Sequence, residues 1–295
     1  EIGFINDMQM YSTSLNKTNI SNYPTFGDCA IRKGSDKLIT HFSYIGRDLC
    51  VNRQMLNQSA LNLIDSGKGC EFLFCGCSDG SEVFDIYISL LYCFFENNIP
   101  FRYLPKFKAF DSSQKMINIA KSGRINISSA GMNYIKTNFP KFNFFKDEGD
   151  IVKYKGDDIE ELSKRIGAKI EHSYLFQPKL LEKIEFYKGR MLQEFRKITP
   201  DVCKILFCRN VARYNTDKSQ ITAAKLLDKN LKPESLVIVG DNDEHNVTDK
   251  DNNIIESLVN NINDCPRLPF TETLFNGHFD YDKTISRDGL VYKKY

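Results

Sequence analysis

The stretch from Glu71 to Glu82 combines an apolar run with a loop that contains Gly76 and Gly80, and a long helical pattern follows it. A strand, glycine turn and helix in this order present backbone N–H groups and a helix N-terminus to a ligand. Neither glycine carries a Cβ, so the backbone can pass close to that ligand. Doubly wound folds also use such turns for purely structural reasons, and on this stretch alone both interpretations stay open.

Two further apolar runs end in polar residues that could share a site with this loop. Residues 107–111 end in Asp111, and residues 203–208 are followed by Arg209 and Asn210. In an open α/β sheet, ligands bind at the carboxyl ends of the strands. An acid at the end of the second strand, after a glycine loop, is the arrangement that accepts hydrogen bonds from a ribose diol. The three strand ends therefore predict one binding crevice.

Composition excludes several classes of function. The 40 basic and 38 acidic residues nearly cancel, which argues against a nucleic-acid surface or a polybasic membrane contact. No apolar run reaches the roughly 18 to 20 residues that a bilayer span needs. Nine cysteines, several of them in apolar strand patterns, favour buried thiols in a reducing cytoplasm over a disulfide framework. Their spacing and the scarcity of histidine predict no metal site.

The elements that position these residues alternate between strand and helix. Strands are predicted at 70–75, 107–111, 184–187, 203–208 and 235–240, and helices follow the first four of them. A C-terminal hairpin is predicted from two strand patterns, 279–285 and 289–292. We therefore predict an α/β fold of the Rossmann-like class: a mostly parallel seven-stranded sheet with a C-terminal antiparallel hairpin and helices on both faces.

The chain divides at about residue 69. Residues 1–69 form an N-terminal segment that is partly helical, and residues 70–295 form the ligand-binding domain. The region 124–182 is too long for an ordinary loop and is predicted to be an inserted subdomain. Within it, helical spacing of apolar residues runs from Asp157 to His172, and a second helical stretch lies near Ile254 to Ile262.

Several motifs, in the same order along the chain, resemble the chemotaxis-receptor glutamate methyltransferases of the CheR type. These motifs are Gly76-Cys-Ser-Asp-Gly-Ser-Glu82, Ala109-Phe-Asp111 with Ala120-Lys-Ser-Gly123, Phe207-Cys-Arg-Asn-Val-Ala-Arg-Tyr214, and Leu231-Lys-Pro233 followed by Val239-Gly-Asp-Asn-Asp-Glu244. The resemblance covers residues 45–295. It implies the class I methyltransferase fold and S-adenosylmethionine as the cofactor.

The resemblance also implies roles for individual residues. Asp111 would hold the ribose hydroxyls of the cofactor, Tyr214 would lie near the transferred methyl group, and Arg53 would contact cofactor and substrate, with Arg47 as second choice. The remaining residues implied in cofactor binding are Gly76, Cys77, Ser78, Gly80, Glu82, Arg190, Asn210 and Val211. Arg190 would lie near the adenine.

Departures from the family leave the function open in part. Ser81 and Arg213 replace an acid and an aliphatic residue, and the insertion does not visibly match the family's small receptor-docking β-subdomain. We expect a cytoplasmic methyltransferase that O-methylates a glutamate of a receptor-like protein. The alternatives are a methyltransferase acting on a small molecule or another side chain, and a diverged, inactive protein that serves as an interaction or effector module.

Overall fold

The computed structural model describes residues 52–150, 170–240, 268–282, 284–285 and 290–295. Its ten strands, in chain order, are β1 (Cys70–Cys75), β2 (Lys106–Asp111), β3 (Arg124–Ser128), β4 (Phe145–Gly149), β5 (Ile170–Phe176), β6 (Ile184–Lys188), β7 (Cys203–Cys208), β8 (Leu236–Val239), β9 (Phe279–Tyr281) and β10 (Val291–Lys294). The helices are α1 (Arg53–Asp65), α2 (Ser81–Glu96), α3 (Gln114–Ser122), α4 (Ser129–Asn138), α5 (Pro178–Leu181), α6 (Met191–Lys197), α7 (Asp217–Asn230) and α8 (Pro269–Phe275). Short 3-10 turns cover Phe101–Tyr103 and Ala212–Tyr214.

Seven strands form one sheet in the order β6-β2-β1-β7-β8-β10-β9. The first five are parallel to one another, while β10 runs antiparallel to both β8 and β9. The predicted fold class is thereby confirmed. The chain moves outward from β1 to β2 and β6, then returns to β7 on the other side, so the strand order reverses between β1 and β7. Ligands of doubly wound sheets bind at the carboxyl edge of this reversal.

Helices cover both faces of the sheet because strand side chains alternate between them. Phe72 and Phe74 of β1 point into one apolar cluster, together with buried residues of α1, α2 and the insertion. Leu73 and Cys75 point into the other cluster, which contains buried residues of α6, α7 and α8. Both faces of β1 are therefore buried, as its continuous apolar sequence indicates.

Helix α2 is buried on more than the face that touches the sheet. Tyr87 stacks edge-on against Phe107 of β2, and its hydroxyl donates to the Leu180 carbonyl. Tyr92 packs against Phe139 of the insertion, and Ser89 accepts a hydrogen bond from Asn57 of α1. The sequence predicts one apolar stripe on this helix, but α1 and the insertion cover the rest of it.

The inserted region contains a second, three-stranded antiparallel sheet of order β3-β5-β4, with α4 following β3. The predicted helix at 157–172 is wrong at its end, because residues 170–172 begin β5. Cross-strand pairing with β3 and β4 overrides the local helical spacing there. Residues 157–169 of that prediction lie outside the described residues.

Boundaries elsewhere agree with the sequence to within a few residues. Helix α3 ends where predicted, at Gly123, which adopts a left-handed φ of 67°. Strands β9 and β10 pair antiparallel as the hairpin prediction requires, while its turn at 287–289 lies outside the described residues. Helix α8 is an element that the sequence reading missed. The helical stretch predicted near 254–262 lies outside the described residues. Among the helices described, none is long and apolar enough to cross a membrane.

Candidate functional site

The loop after β1 is held in a conformation that needs glycine at Gly76. Its φ is 69°, and a Cβ built there would lie 2.5 Å from Cγ2 of Val211. Ser78 is also left-handed, with φ of 50°, which is uncommon for a residue with a side chain. The loop therefore packs directly against the segment that follows β7, and two sequence motifs separated by more than a hundred residues meet at this point.

The N–H groups of the loop are already hydrogen-bonded within the protein. Gly76 and Cys77 donate to the Phe110 carbonyl at 2.9 and 3.0 Å, and Gly80 donates to the Cys77 carbonyl at 2.9 Å. Ser78 donates to Oδ2 of Asp111 at 3.0 Å. The expectation that the turn presents these N–H groups to a ligand is thus wrong. The Ser78 hydroxyl of this loop is buried and has no hydrogen-bond partner among the described residues.

Asp111, at the end of β2, faces the loop and is 2% exposed. Its Oδ2 accepts from Ser78 and its Oδ1 accepts from the Ser113 N–H at 2.8 Å. Burial raises the pKa of this carboxyl, and the backbone N–H groups that it accepts from oppose the rise. The carboxylate therefore fixes the glycine loop relative to the start of α3, at the carboxyl end of β2.

The end of β7 is tied to the start of α2 by an ion pair. Nη1 of Arg209 contacts Oε1 of Glu82, and the Arg209 side chain is only 3% exposed. The next residue, Asn210, has a left-handed φ of 55°. A Cβ on Gly240 would lie 2.8 Å from Oδ1 of Asn210, so this side chain occupies the carboxyl end of β8.

Two buried polar atoms at these strand ends have no hydrogen-bond partner among the described residues, Oγ of Ser78 and Oδ1 of Asn210. Buried polar groups are nearly always paired, because an unmade hydrogen bond costs about 1–3 kcal/mol. One atom follows β1 and the other follows β7, the two strands between which the order reverses. A polar ligand with hydrogen-bond donors would satisfy both, and the ammonium and ribose hydroxyls of S-adenosylmethionine fit this need.

Tyr214 and Arg190 each follow a strand of the large sheet, β7 and β6 respectively. Tyr214 is half-buried in the 3-10 turn after Val211, and the Arg213 guanidinium carbon lies 5.9 Å from its ring centroid. Arg190 is exposed and precedes α6. Its neighbour Gly189 donates to the Asp111 carbonyl at 3.0 Å, which brings Arg190 beside the end of β2.

Arg53 takes a position that the sequence reading did not foresee. It is the first residue of α1, and its Nη2 lies 2.8 Å from Oδ2 of Asp85. Its guanidinium carbon is 5.3 Å from the ring centroid of Tyr134 on α4. The pairing of Arg53 with Asp85 was not anticipated from the sequence, although a charge inside an apolar helix was a usable signal.

The described residues contain no group of three or more His, Cys, Asp or Glu side chains that could hold a metal ion. Exposed His172 and His278 pair with Glu148 and Asp228, at 3.0 Å each. The other two histidines, His41 and His245, lie outside the described residues.

Residues 147–259 match the family model described as CheR methyltransferase, SAM binding domain. No curated protein matches the chain by sequence. The matched region includes the Phe207–Tyr214 motif and lies after the glycine loop and Asp111.

Several solved structures are similar. YcgJ from Bacillus subtilis has a TM-score of 0.35 at 12% identity, over 76% of this chain and 69% of that one. A SAM-dependent methyltransferase from Archaeoglobus fulgidus has a TM-score of 0.33 at 13% identity, over 78% and 70%. Magnesium protoporphyrin IX methyltransferase from Synechocystis PCC 6803, with bound SAM, has a TM-score of 0.32 at 12% identity, over 78% and 70%. Because these scores are low, the fold assignment rests on the strand order.

The family match confirms the resemblance to the CheR-type methyltransferases. It also confirms the predicted cofactor, S-adenosylmethionine, and identifies a methyltransferase domain that depends on it.

Proposed function

We propose that this protein transfers a methyl group from S-adenosylmethionine to a glutamate carboxylate of another protein. The observation that carries the proposal is the contact between Val211 and Gly76, which closes the Phe207–Tyr214 motif onto the glycine loop. These are the two stretches that most resemble the CheR-type enzymes. Their meeting at the reversal of the strand order gives a single crevice for cofactor and acceptor.

In this proposal, the residues that hold the cofactor come from three strand ends. Carbonyl oxygens of the loop and the Ser78 hydroxyl accept from its ammonium, as the orphaned Ser78 Oγ suggests. Asp111 accepts from the ribose hydroxyls while it continues to fix the loop. Asn210 and Val211 line the opposite side of the crevice, and Arg190 borders the adenine.

When bound, S-adenosylmethionine supplies an electrophilic methyl group on a sulfonium. A carboxylate acceptor is already ionised at neutral pH, so the protein needs no general base, and its histidines are not required. The task of the chain is to align the acceptor oxygen with the methyl group. Arg53 orients the carboxylate by a charge-assisted hydrogen bond, and Tyr214 shapes the approach.

The inserted sheet of β3, β5 and β4 supports a protein as the acceptor. The sequence reading found no match there to the receptor-docking β-subdomain of the family. The described residues nevertheless form a small antiparallel sheet that follows α3 and leads back into β6. An insertion of this architecture gives a docking surface outside the crevice, which a small-molecule methyltransferase does not need.

An inactive, diverged protein is the second candidate, and one observation favours it. Asp111 is almost fully buried, and both of its carboxylate oxygens are already engaged by backbone N–H groups. An aspartate in this position can serve as a structural clamp without any ligand. A methyltransferase that acts on a small molecule is the third candidate.

Two measurements separate these candidates. Calorimetric titration with S-adenosylhomocysteine is expected to give saturable heat of binding, and its absence would leave only the inactive protein. Tritiated S-adenosylmethionine is then supplied with candidate acceptor proteins. Label that alkali releases as methanol identifies a carboxyl ester, whereas alkali-stable label on protein or label on a small molecule contradicts the proposed acceptor.

A further inference from the structure

The first two turns of α2 carry two carboxylates on one face, Glu82 and Asp85. Residues three apart are neighbours on a helix surface. Each of these carboxylates pairs with an arginine from a different element: Glu82 with Arg209 after β7, and Asp85 with Arg53 at the start of α1. Because α2 follows the glycine loop directly, both pairs lie at the crevice end of this helix.

The Asp85 pair is a costly way to attach α1 to α2. The Asp85 side chain is 1% exposed and the Arg53 side chain 18% exposed. Burying two charges removes their hydration, and a well-packed apolar pair of similar volume often stabilises a fold as well or better. Helix α2 is otherwise rich in apolar residues, so stability alone does not account for a carboxylate at this position.

The pair does fix the guanidinium in space. Oδ2 of Asp85 holds Nη2 of Arg53 from one side at 2.8 Å, and the ring of Tyr134 lies 5.3 Å from the guanidinium carbon. A long side chain such as arginine otherwise has several free rotamers, and restricting them in advance lowers the cost of binding a carboxylate. Three elements thus determine where this positive charge points: α1, α2 and α4 of the insertion.

We propose that Asp85 is a positioning residue, which holds the Arg53 guanidinium at the crevice end of α2 so that it can orient the acceptor carboxylate. The inference rests on the proposed function, since it assigns the acceptor contact to Arg53. Asp85 lies outside the motifs that resemble the CheR-type enzymes. Asp85 acts through Arg53 and does not itself touch the acceptor.

The chain offers a matched control one turn further along the same pair of helices. Nδ2 of Asn57 on α1 donates to Oγ of Ser89 on α2 at 3.0 Å, and both residues are buried. Asn57→Ala therefore removes a buried polar contact between α1 and α2 without touching Arg53. Any loss that comes only from loosening α1 appears in this variant too.

The experiment compares D85N, D85E, N57A, R53A and the double variant R53A/D85N. Each protein is titrated with S-adenosylhomocysteine by calorimetry, and the stoichiometry of that binding counts the folded, cofactor-competent fraction. A fluorescein-labelled synthetic peptide with paired glutamates is then titrated into the saturated protein by fluorescence anisotropy. Methylation of the peptide is measured in separate samples that contain tritiated S-adenosylmethionine and no S-adenosylhomocysteine. D85E is the conservative variant, which keeps the negative charge and remains informative if D85N folds poorly.

We expect D85N to weaken peptide binding about tenfold, because the Arg53 guanidinium is then no longer held in one orientation before the carboxylate binds. Affinity for S-adenosylhomocysteine stays unchanged. D85E retains most of the peptide affinity, N57A matches the wild type, and D85N has no further effect in the R53A background, because Asp85 acts only through Arg53.

Other results would overturn the positioning role of Asp85, the proposed activity, or both. Equal peptide affinity in D85N and the wild type, or equal losses in D85N and N57A, overturns the positioning role alone. Wild-type binding of the peptide without methyl transfer overturns the proposed activity and leaves the role of Asp85 standing on the binding data. A wild-type protein that does not bind the peptide at all overturns both, because no carboxylate acceptor then reaches Arg53.

Discussion

Replacing Gly76 by alanine tests the contact on which the crevice depends. Gly76 has φ of 69°, and an added Cβ would lie 2.5 Å from Cγ2 of Val211. The substitution therefore introduces two separate costs, a left-handed backbone for a residue with a side chain and a steric overlap with the segment after β7. The two costs can be separated, because the chain contains another glycine at which an alanine substitution would introduce only the first cost.

Gly67 provides that comparison. Its φ is 73°, close to that of Gly76, but an added Cβ would meet nothing within 4 Å. Left-handed geometry costs alanine about 1–2 kcal/mol, so G67A should destabilise the protein by that amount. Overpacking adds about 1–3 kcal/mol, so G76A should cost about 2–5 kcal/mol in total.

A substitution at Val211 then measures the steric part of the cost of G76A. Val211→Ala removes the methyl group that a Cβ on residue 76 would meet, so it should recover about 1–3 kcal/mol in the G76A background. In the G67A background the same change should be only destabilising. Free energies of unfolding come from urea titrations followed by circular dichroism, and calorimetry with S-adenosylhomocysteine should show weaker binding by G76A than by G67A.

The reasoning is refuted if G76A is no less stable than G67A. It is also refuted if V211A lowers the stability of both backgrounds equally, since the loop and the β7 segment would then not be in contact. A G76A protein that binds S-adenosylhomocysteine with wild-type affinity would separate this loop from the cofactor.

Four further predictions concern the same region. Asp111→Asn should remove a pH dependence of stability, because burial raises the pKa of Asp111 in the folded state. The stability of the wild type relative to this variant should be greatest below the ordinary pKa of 3.8 and should fall as pH rises through the raised pKa. Urea titrations at a series of pH values would measure this difference. Glu82→Gln should destabilise the protein by about 3–5 kcal/mol, because it removes the carboxylate that pairs with the buried Arg209 guanidinium; adding R209M should recover part of this loss in the same titrations. Burial raises the pKa of the Cys75 thiol well above its ordinary value, so a disulfide reagent at pH 8 should modify it only when the protein unfolds, and fast labelling of the native protein would contradict this. Tyr214→Phe should slow methyl transfer with little change in affinity for S-adenosylhomocysteine, and wild-type turnover would remove Tyr214 from the mechanism.

The large sheet could be predicted because its signals are local. Apolar runs such as 70–75 and 203–208 are long enough to identify buried strands, and Gly123 ends a helix by its own conformational preference. The order of elements then restricts the topology, since parallel strands joined by helices cross over with one hand. The inserted sheet was not predicted, because its strands are short and partly exposed, and β5 depends on partners that lie on both sides of it.

The same distinction applies to the site. Gly76, Asp111 and Asn210 were predictable from their positions after apolar runs, and the structure brings all three to the carboxyl ends of adjacent strands. The pairing of Asp85 was not, because it depends on Arg53, a residue 32 positions earlier. The direction of the loop N–H groups was also not predictable, since their acceptors are the Phe110 carbonyl and the Asp111 carboxylate on the next strand.

The sequence by itself determined the chain order of the strands in the large sheet and the identity of the polar residues at the strand ends, because periodicity and turn chemistry act over a few neighbouring residues. Only the tertiary structure decided which charges meet. Glu82 and Arg209 are 127 residues apart, and their pairing depends on burial that no local pattern encodes. Short motifs thus predict where the crevice lies, while its ion pairs come from contacts between elements that are distant in the chain.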